Sequence, residues 1–171
     1  MVDVKDILNP EWQVQMASEI GFAEEQAEVV RLRSEAAQAT LGAEGPVYWR
    51  QFLKEASINT EALQKNPKLG VRGRTSPFGN PRGGEQRCRI EVSRTGIFPC
   101  MTWMDLFYTP GDSRIRAYTL EGIAFDLDFS ISSTGKGVSI QTDEEYFLAD
   151  PEALAEMLVK RMVKQVRSAA Y

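Results

Sequence analysis

The chain has 171 residues, of which 43% are hydrophobic and 26% are charged, and its formal net charge is −4. This composition is typical of a soluble globular protein, and it excludes a wholly disordered chain, a collagen-like repeat and a small disulfide scaffold. The longest uncharged stretch, residues 95–104, is too short to span a bilayer, and the first residues lack the basic and apolar blocks of a signal peptide. We therefore expect a cytoplasmic protein that does not contact a membrane.

The sequence contains no histidine. This absence removes the commonest general base and the commonest metal ligand, so a Ser-His-Asp triad, a Cys-His pair and a histidine zinc site cannot form within the chain. The two cysteines, Cys88 and Cys100, are too few for a four-thiolate zinc site, and a reducing cytoplasm favours free thiols. We therefore assign no catalytic residue, no metal ligand and no cofactor, and the sequence favours a protein that is not an enzyme.

The first part of the chain has a helical pattern. Asn9 and Pro10 form a typical start signal, and Trp12, Met16 and Ile20 then recur every four residues. From Ala23 to Leu41 the spacings alternate between four and three, which is a heptad-like seam of mostly small residues. Gly21 leaves open whether residues 10–41 form one helix or two, and Gly42 predicts the end of the helix. Together with the first three residues, the seam consists of Trp12, Met16, Ile20, Ala23, Ala27, Val30, Ser34, Ala37 and Leu41.

A second helix is predicted from Gly45 to Asn66, where the following proline disfavours helical backbone. Glycine and proline then recur without any period, so we predict an irregular basic loop over residues 67–85. Residues 65–94 carry eight basic and two acidic side chains, a net charge of +6, although the whole chain is acidic. Any site for a polyanion is therefore expected in this segment.

Alternation of apolar and polar residues predicts antiparallel strands in the second half, most clearly over residues 123–131. Asp150 and Pro151 then form a cap for a final helix with one apolar face. The fold class is therefore α+β: an antiparallel meander of four to five strands, covered by a C-terminal helix and preceded by a helical N-terminal region. We expect regions 1–66, 67–85 and 86–171 to form one compact domain. Further strands are predicted at residues 87–92, 101–108, 114–120 and 138–140.

Residues 133–137, with the sequence Ser-Thr-Gly-Lys-Gly, superficially resemble a phosphate-binding loop. The first glycine of that motif is missing, Lys136 is followed by glycine, and strand patterns flank both sides where a helix should follow. We therefore predict a hairpin turn.

Asp126 and Asp128 lie two residues apart on one face of a predicted strand, about 7 Å from each other. Such a pair can hold a magnesium ion, or it can simply keep the outer face of the strand soluble. No third acid is evident in the sequence, so we favour the second interpretation.

Asp105 interrupts the apolar strand 101–108. If Pro110 and Gly111 form a two-residue loop, Asp105 lies opposite Arg116, and we predict a cross-strand ion pair. The alternative is an acid inside an aromatic-lined pocket.

The leading functional hypothesis is a non-enzymatic protein-interaction or adaptor protein, whose partner is another protein or a second copy of the chain. Small side chains in the seam permit close approach of another helix, so we predict a homo-oligomer. The predicted interface residues are Ala23, Ala27, Val30 and Ala37.

Two alternatives remain open. The first is a nucleic-acid or polyanion binding module that uses the basic segment 65–94. We favour this hypothesis less than the protein-interaction hypothesis. The second is a metal-dependent phosphoryl-transfer enzyme that uses Asp126 and Asp128. The predicted anion-binding residues are Arg72, Arg74, Arg82, Arg87 and Arg89.

Overall fold

The computed structural model describes residues 10–79, 84–96, 100–142 and 147–169. These residues form a long helix, a 3-10 turn at Pro67–Leu69, an antiparallel sheet and a C-terminal helix, so the α+β class is confirmed. The described chain divides into two compact units, Met1–Ala37 and Gln38–Tyr171. The elements are α1 Pro10–Gln64, β1 Val71–Gly79, β2 Gln86–Arg94, β3 Met101–Tyr108, β4 Arg114–Thr119, β5 Ala124–Ile131, β6 Val138–Gln141, β7 Leu148–Ala149 and α2 Pro151–Ser168.

Helix α1 is continuous, so the predicted end at Gly42 and the predicted restart at Gly45 are wrong. Glycine and proline each disfavour a helix interior, by about 1 and 3 kcal/mol respectively. The aromatic side chains that follow, Trp49 and Phe52, are fully buried in the core, and burial of each contributes about 1.5–3 kcal/mol. Tertiary packing therefore outweighs the local preference for a break.

The sheet is a seven-stranded meander within the described residues, with neighbours in sequence paired antiparallel from β1 to β7. The predicted number of four to five strands is therefore too low. The short strands β6 and β7 lie at one edge of the sheet, and β1 forms the other edge.

Strand β1 corrects the prediction that residues 67–85 form an irregular loop, because all nine of its residues pair with β2. The core-facing positions of β1 include Gly73, Thr75 and Pro77, so the apolar alternation that reveals a strand is missing from the sequence. Gly73 is needed there, since a Cβ atom on it would lie 2.9 Å from Cδ1 of Leu63 in α1. Proline is tolerated because β1 is an edge strand.

Helix α2 covers the concave face of the sheet. It contacts β2 and β3 as well as β6 and β7, so the sheet curls around it. Asp150 caps α2 as predicted, by accepting a hydrogen bond of 2.8 Å from the backbone N–H of Ala153. Leu158 and Met162, on the apolar face of α2, are 1% and 2% exposed, so this face is buried against the sheet. Among the described residues, neither helix has a stretch apolar enough to cross a membrane.

Candidate functional site

The side of the sheet that faces away from the core gathers arginine and aromatic side chains. Cys88, Ile90 and Val92 of β2 are fully buried, so the alternating residues Arg87 and Arg89 face the other side. We call this side of the first four strands the outer face. Its residues include Arg72, Arg74, Arg87, Arg89, Glu91, Trp103, Asp105, Phe107, Arg114, Arg116 and Tyr118.

The register of β1 places two predicted anion-binding residues beside two others. Arg74 lies opposite Glu91, and Ser76 lies opposite Arg89, so Arg72 and Arg74 share the outer face with Arg87 and Arg89. The fifth residue of that prediction, Arg82, lies outside the described residues. The structure thus brings four of the five arginines together, and their binding of an anion stays a prediction.

Asp105 makes an ion pair, but with Arg89 of β2 and not with Arg116 as predicted. Arg89 donates to both carboxylate oxygens, from Nε to Oδ1 at 2.6 Å and from Nη2 to Oδ2 at 2.7 Å. The register puts Tyr118 opposite Asp105, because the connection from β3 to β4 is longer than the two-residue loop that the prediction assumed. The hydrogen bond to Asp105 raises the pKa of the Arg89 guanidinium above its ordinary value, so this arginine stays charged.

The arginines of β2 lie over aromatic rings of β3. The guanidinium carbon of Arg89 is 4.5 Å from the centre of the Trp103 ring, and that of Arg87 is 5.0 Å from the centre of the Phe107 ring. Phe107 also contacts Tyr118 of β4 edge to face, with ring centres 5.4 Å apart. These contacts form two neighbouring sets of rings and guanidinium groups on the outer face, Arg89 with Trp103 and Arg87 with Phe107 and Tyr118.

Glu85, just before β2, neutralises part of the positive charge of the arginines on the outer face. It pairs with Arg87 at 3.2 Å and forms a short ion pair with Arg116. Arg114 pairs with Asp126 of β5 at 2.8 Å. In the part of the chain that the structure describes, no carboxylate lies within ion-pairing distance of Arg72 or Arg74. Arg72 and Arg74 of β1 therefore carry uncompensated positive charge, and Glu85, which is shared by Arg87 and Arg116, leaves one further positive charge on the outer face.

The aromatic members of the outer face were not recognised from the sequence. Trp103 and Phe107 were predicted to lie in the apolar strand 101–108, but nothing in that pattern showed that they adjoin Arg87 and Arg89. The contacts depend on the register between β2 and β3. The spacing of residues along one strand does not show how that strand pairs with its neighbour.

Asp126 and Asp128 lie together on β5, as predicted, but Asp126 is engaged by Arg114. Within the described ranges, no group of three or more Cys, Asp or Glu side chains has a geometry that could hold a metal ion. Residues 133–137 connect β5 to β6 as a hairpin, in which the N–H of Ser132 donates to the carbonyl of Gly137 at 3.1 Å.

The predicted interface residues lie on α1 in the unit Met1–Ala37. Ala23, Ala27 and Val30 are exposed, and Ala37 is partly exposed. They are accompanied by many exposed large apolar side chains, with Phe22 and Val30 each 64% exposed. The exposed large apolar residues of this segment are Trp12, Val14, Met16, Ile20, Phe22, Val29, Val30 and Leu32.

Both cysteines are free thiols. Cys88 is fully buried on the core face of β2, and burial raises the pKa of its thiol to about 12. Cys100 is partly exposed. Cys88 is therefore a packing residue and an unreactive thiol at neutral pH.

The chain was compared with protein-family models, curated proteins and solved structures. No protein-family model, curated protein or solved structure matches the chain.

Proposed function

We propose that this chain is a non-enzymatic protein-interaction protein, which associates with further copies of itself through residues 10–37 of α1. The observation that supports this proposal is the exposure of eight large apolar side chains on that segment. Large apolar side chains exposed in rows along a helix mark an interaction site, because their transfer out of water is favourable.

The seam supplies one contact surface. With 3.6 residues per turn, Trp12, Met16 and Ile20 lie on the same side of the helix as the predicted interface residues. The middle of the seam has small side chains, which let two helix backbones approach closely and pack along their length. A second copy of the same segment has the shape and the apolar character to cover it.

A second apolar stripe lies on another side of the helix. It consists of Val14, Phe22, Val29 and Leu32, all of them exposed. A two-helix pair covers one stripe and leaves the other in water, whereas a bundle of more helices covers both. We therefore propose an assembly larger than a dimer of this segment.

The charged residues of the segment fit this arrangement. Arg31 pairs with Glu28 and with Glu35, both at 2.6 Å and both within the same helix. By helical geometry these side chains lie between the two apolar stripes, on the side that stays hydrated in a bundle. Ion pairs of this type add little stability, so the apolar stripes must supply the free energy of association.

Light scattering coupled to size exclusion tests the proposal with a matched pair of double variants. Ala23→Glu with Ala27→Glu places two charges in the seam, and we expect a fall in mass toward the monomer. Gln13→Glu with Ala17→Glu adds similar charge, at the same spacing, on the hydrated side, and we expect an unchanged mass. Equal masses for the two double variants would show that the seam is not an interface.

A further inference from the structure

The outer face of the sheet has a positive edge. Arg72 and Arg74 are exposed, about 7 Å apart along β1, and unpaired with any carboxylate of the described residues. Glu91 lies opposite Arg74 in the register but makes no ion pair with it. These two arginines are therefore available to an anionic ligand.

Next to this edge lie the guanidinium groups and aromatic rings of β2 to β4, which can stack on unpaired bases. Asp105 holds Arg89 by two hydrogen bonds, so the guanidinium plane is fixed over the Trp103 ring and does not swing freely toward solvent. Planar guanidinium groups and aromatic rings both stack on the faces of nucleic-acid bases. Tyr118, which is 41% exposed, extends this set of groups onto β4.

On the far side of the same face, the carboxylates of β5 balance the positive charges of Arg114 and Arg116 on β4. Asp128 lies opposite Arg114, and Asp126 lies opposite Arg116, so carboxylates border these groups on β5. A duplex carries phosphates on both strands and hides its bases, so it would meet these carboxylates and gain nothing from the rings. A single strand can place its phosphates along β1 and its bases over β2 to β4.

We infer that the outer face of β1–β4 binds single-stranded nucleic acid, with Arg72 and Arg74 on the phosphates and the Arg89–Trp103 and Arg87–Phe107 pairs against the bases. This activity uses a different surface from the proposed helix association, so each can fail without the other. The charge complementarity of the β1 edge and the partly exposed guanidinium–aromatic pairs of β2 and β3 together favour this ligand over a polyanion without bases.

The experiment measures the fluorescence anisotropy of a labelled oligothymidylate titrated with the full-length chain at low and at moderate salt. We expect binding that Arg72→Ala with Arg74→Ala weakens. The same variant should lower the slope of log K against log salt by about 1.4, because each phosphate contact on a single strand contributes about 0.7. The matched control is Arg50→Ala with Arg167→Ala, which removes two exposed arginines from the helices and should leave both quantities unchanged.

A second readout reports stacking. In a Trp12→Phe background, the emission of Trp103 should be quenched by the oligonucleotide, since the remaining tryptophan, Trp49, is buried. Heparin should produce no such quenching, and a duplex of equal length should compete more weakly than the single strand. The inference is overturned if the wild-type chain does not retain the oligonucleotide at low salt, if heparin or duplex competes equally well, or if the two double arginine variants behave alike.

Discussion

Gly45 of α1 lies directly against Tyr108 of β3. A Cβ atom placed on Gly45 would be 2.5 Å from the hydroxyl oxygen of Tyr108, and the next nearest atom, Cζ of the same ring, would be 3.5 Å away. The glycine therefore lets the helix approach the sheet, although glycine is a poor residue for a helix interior. The same contact explains why a residue that looks like a helix break lies inside α1.

This contact predicts opposite effects for two helical glycines. Gly45→Ala should lower the free energy of unfolding by about 1–3 kcal/mol, because the added methyl group overlaps the Tyr108 hydroxyl in a packed core. Gly42→Ala is the matched control, since no atom lies within 4 Å of its Cβ position. The control should raise stability by about 0.5–1 kcal/mol through helix propensity, and urea midpoints measure both changes.

A double-mutant cycle isolates the atom responsible. In a Tyr108→Phe background the hydroxyl is gone, and the nearest ring carbon is at ordinary contact distance from the new methyl group. Gly45→Ala should then cost much less than in the wild-type chain, which gives a coupling energy above about 1 kcal/mol. Additive effects of the two substitutions would show that the overlap lies elsewhere.

The packing of α2 on the sheet predicts a large effect of Leu158→Ala. This side chain is 1% exposed in the core, so its truncation should cost about 2–5 kcal/mol. Lys160→Ala, on the exposed side of the same helix, should change the free energy of unfolding by less than about 0.5 kcal/mol. An unchanged denaturant midpoint for Leu158→Ala would contradict the packing of α2 described above.

The cysteines predict a simple labelling pattern. A thiol-specific reagent at pH 8 should label Cys100 in the native protein and leave Cys88 unmodified. Cys88 is fully buried, and burial keeps its thiol protonated at that pH. In denaturant both thiols should react, and rapid labelling of Cys88 in the native protein would show that β2 opens to solvent.

Much of the sheet and helix α2 could be predicted from the sequence, because their apolar side chains recur with a clear period, whereas α1 was predicted with a break at Gly42 that the structure does not contain. Strand β3 was predicted with its observed ends, and residues 123–131 contain the observed strand β5. Strand β1 was missed, since Gly73 and Pro77 occupy positions where the period requires apolar residues. The packing that makes Gly73 necessary comes from α1, which is close in space and not in the local pattern.

The residues of the candidate sites could likewise be predicted only where a local pattern reveals them. The arginines of residues 65–94 were identified from charge alone, but their aromatic neighbours depend on pairing between strands. The partner of Asp105 depends on the strand register in the same way. The assumed two-residue loop between β3 and β4 predicted an ion pair with Arg116, whereas in the structure Asp105 pairs with Arg89 of β2. The exposed seam of α1 was evident from its spacing, because one helix face requires no knowledge of the rest of the fold.

Association of α1 also predicts that helix content depends on concentration. An exposed helical segment with few tertiary contacts is only marginally stable by itself, so residues 10–37 should gain helix when copies associate. Far-UV circular dichroism should therefore show less helix per residue as the wild-type chain is diluted. The Ala23→Glu, Ala27→Glu variant should show the lower value at every concentration, and the Gln13→Glu, Ala17→Glu variant should follow the wild type.

Sedimentation equilibrium of the wild-type chain tests the proposed interaction function most directly. The chain has a mass of 19.2 kDa, so the monomer and its multiples are well separated. We expect an integral multiple of this mass, at least threefold, at high micromolar concentration, and dissociation on dilution. A single species at the monomer mass across the whole concentration range would contradict self-association through α1.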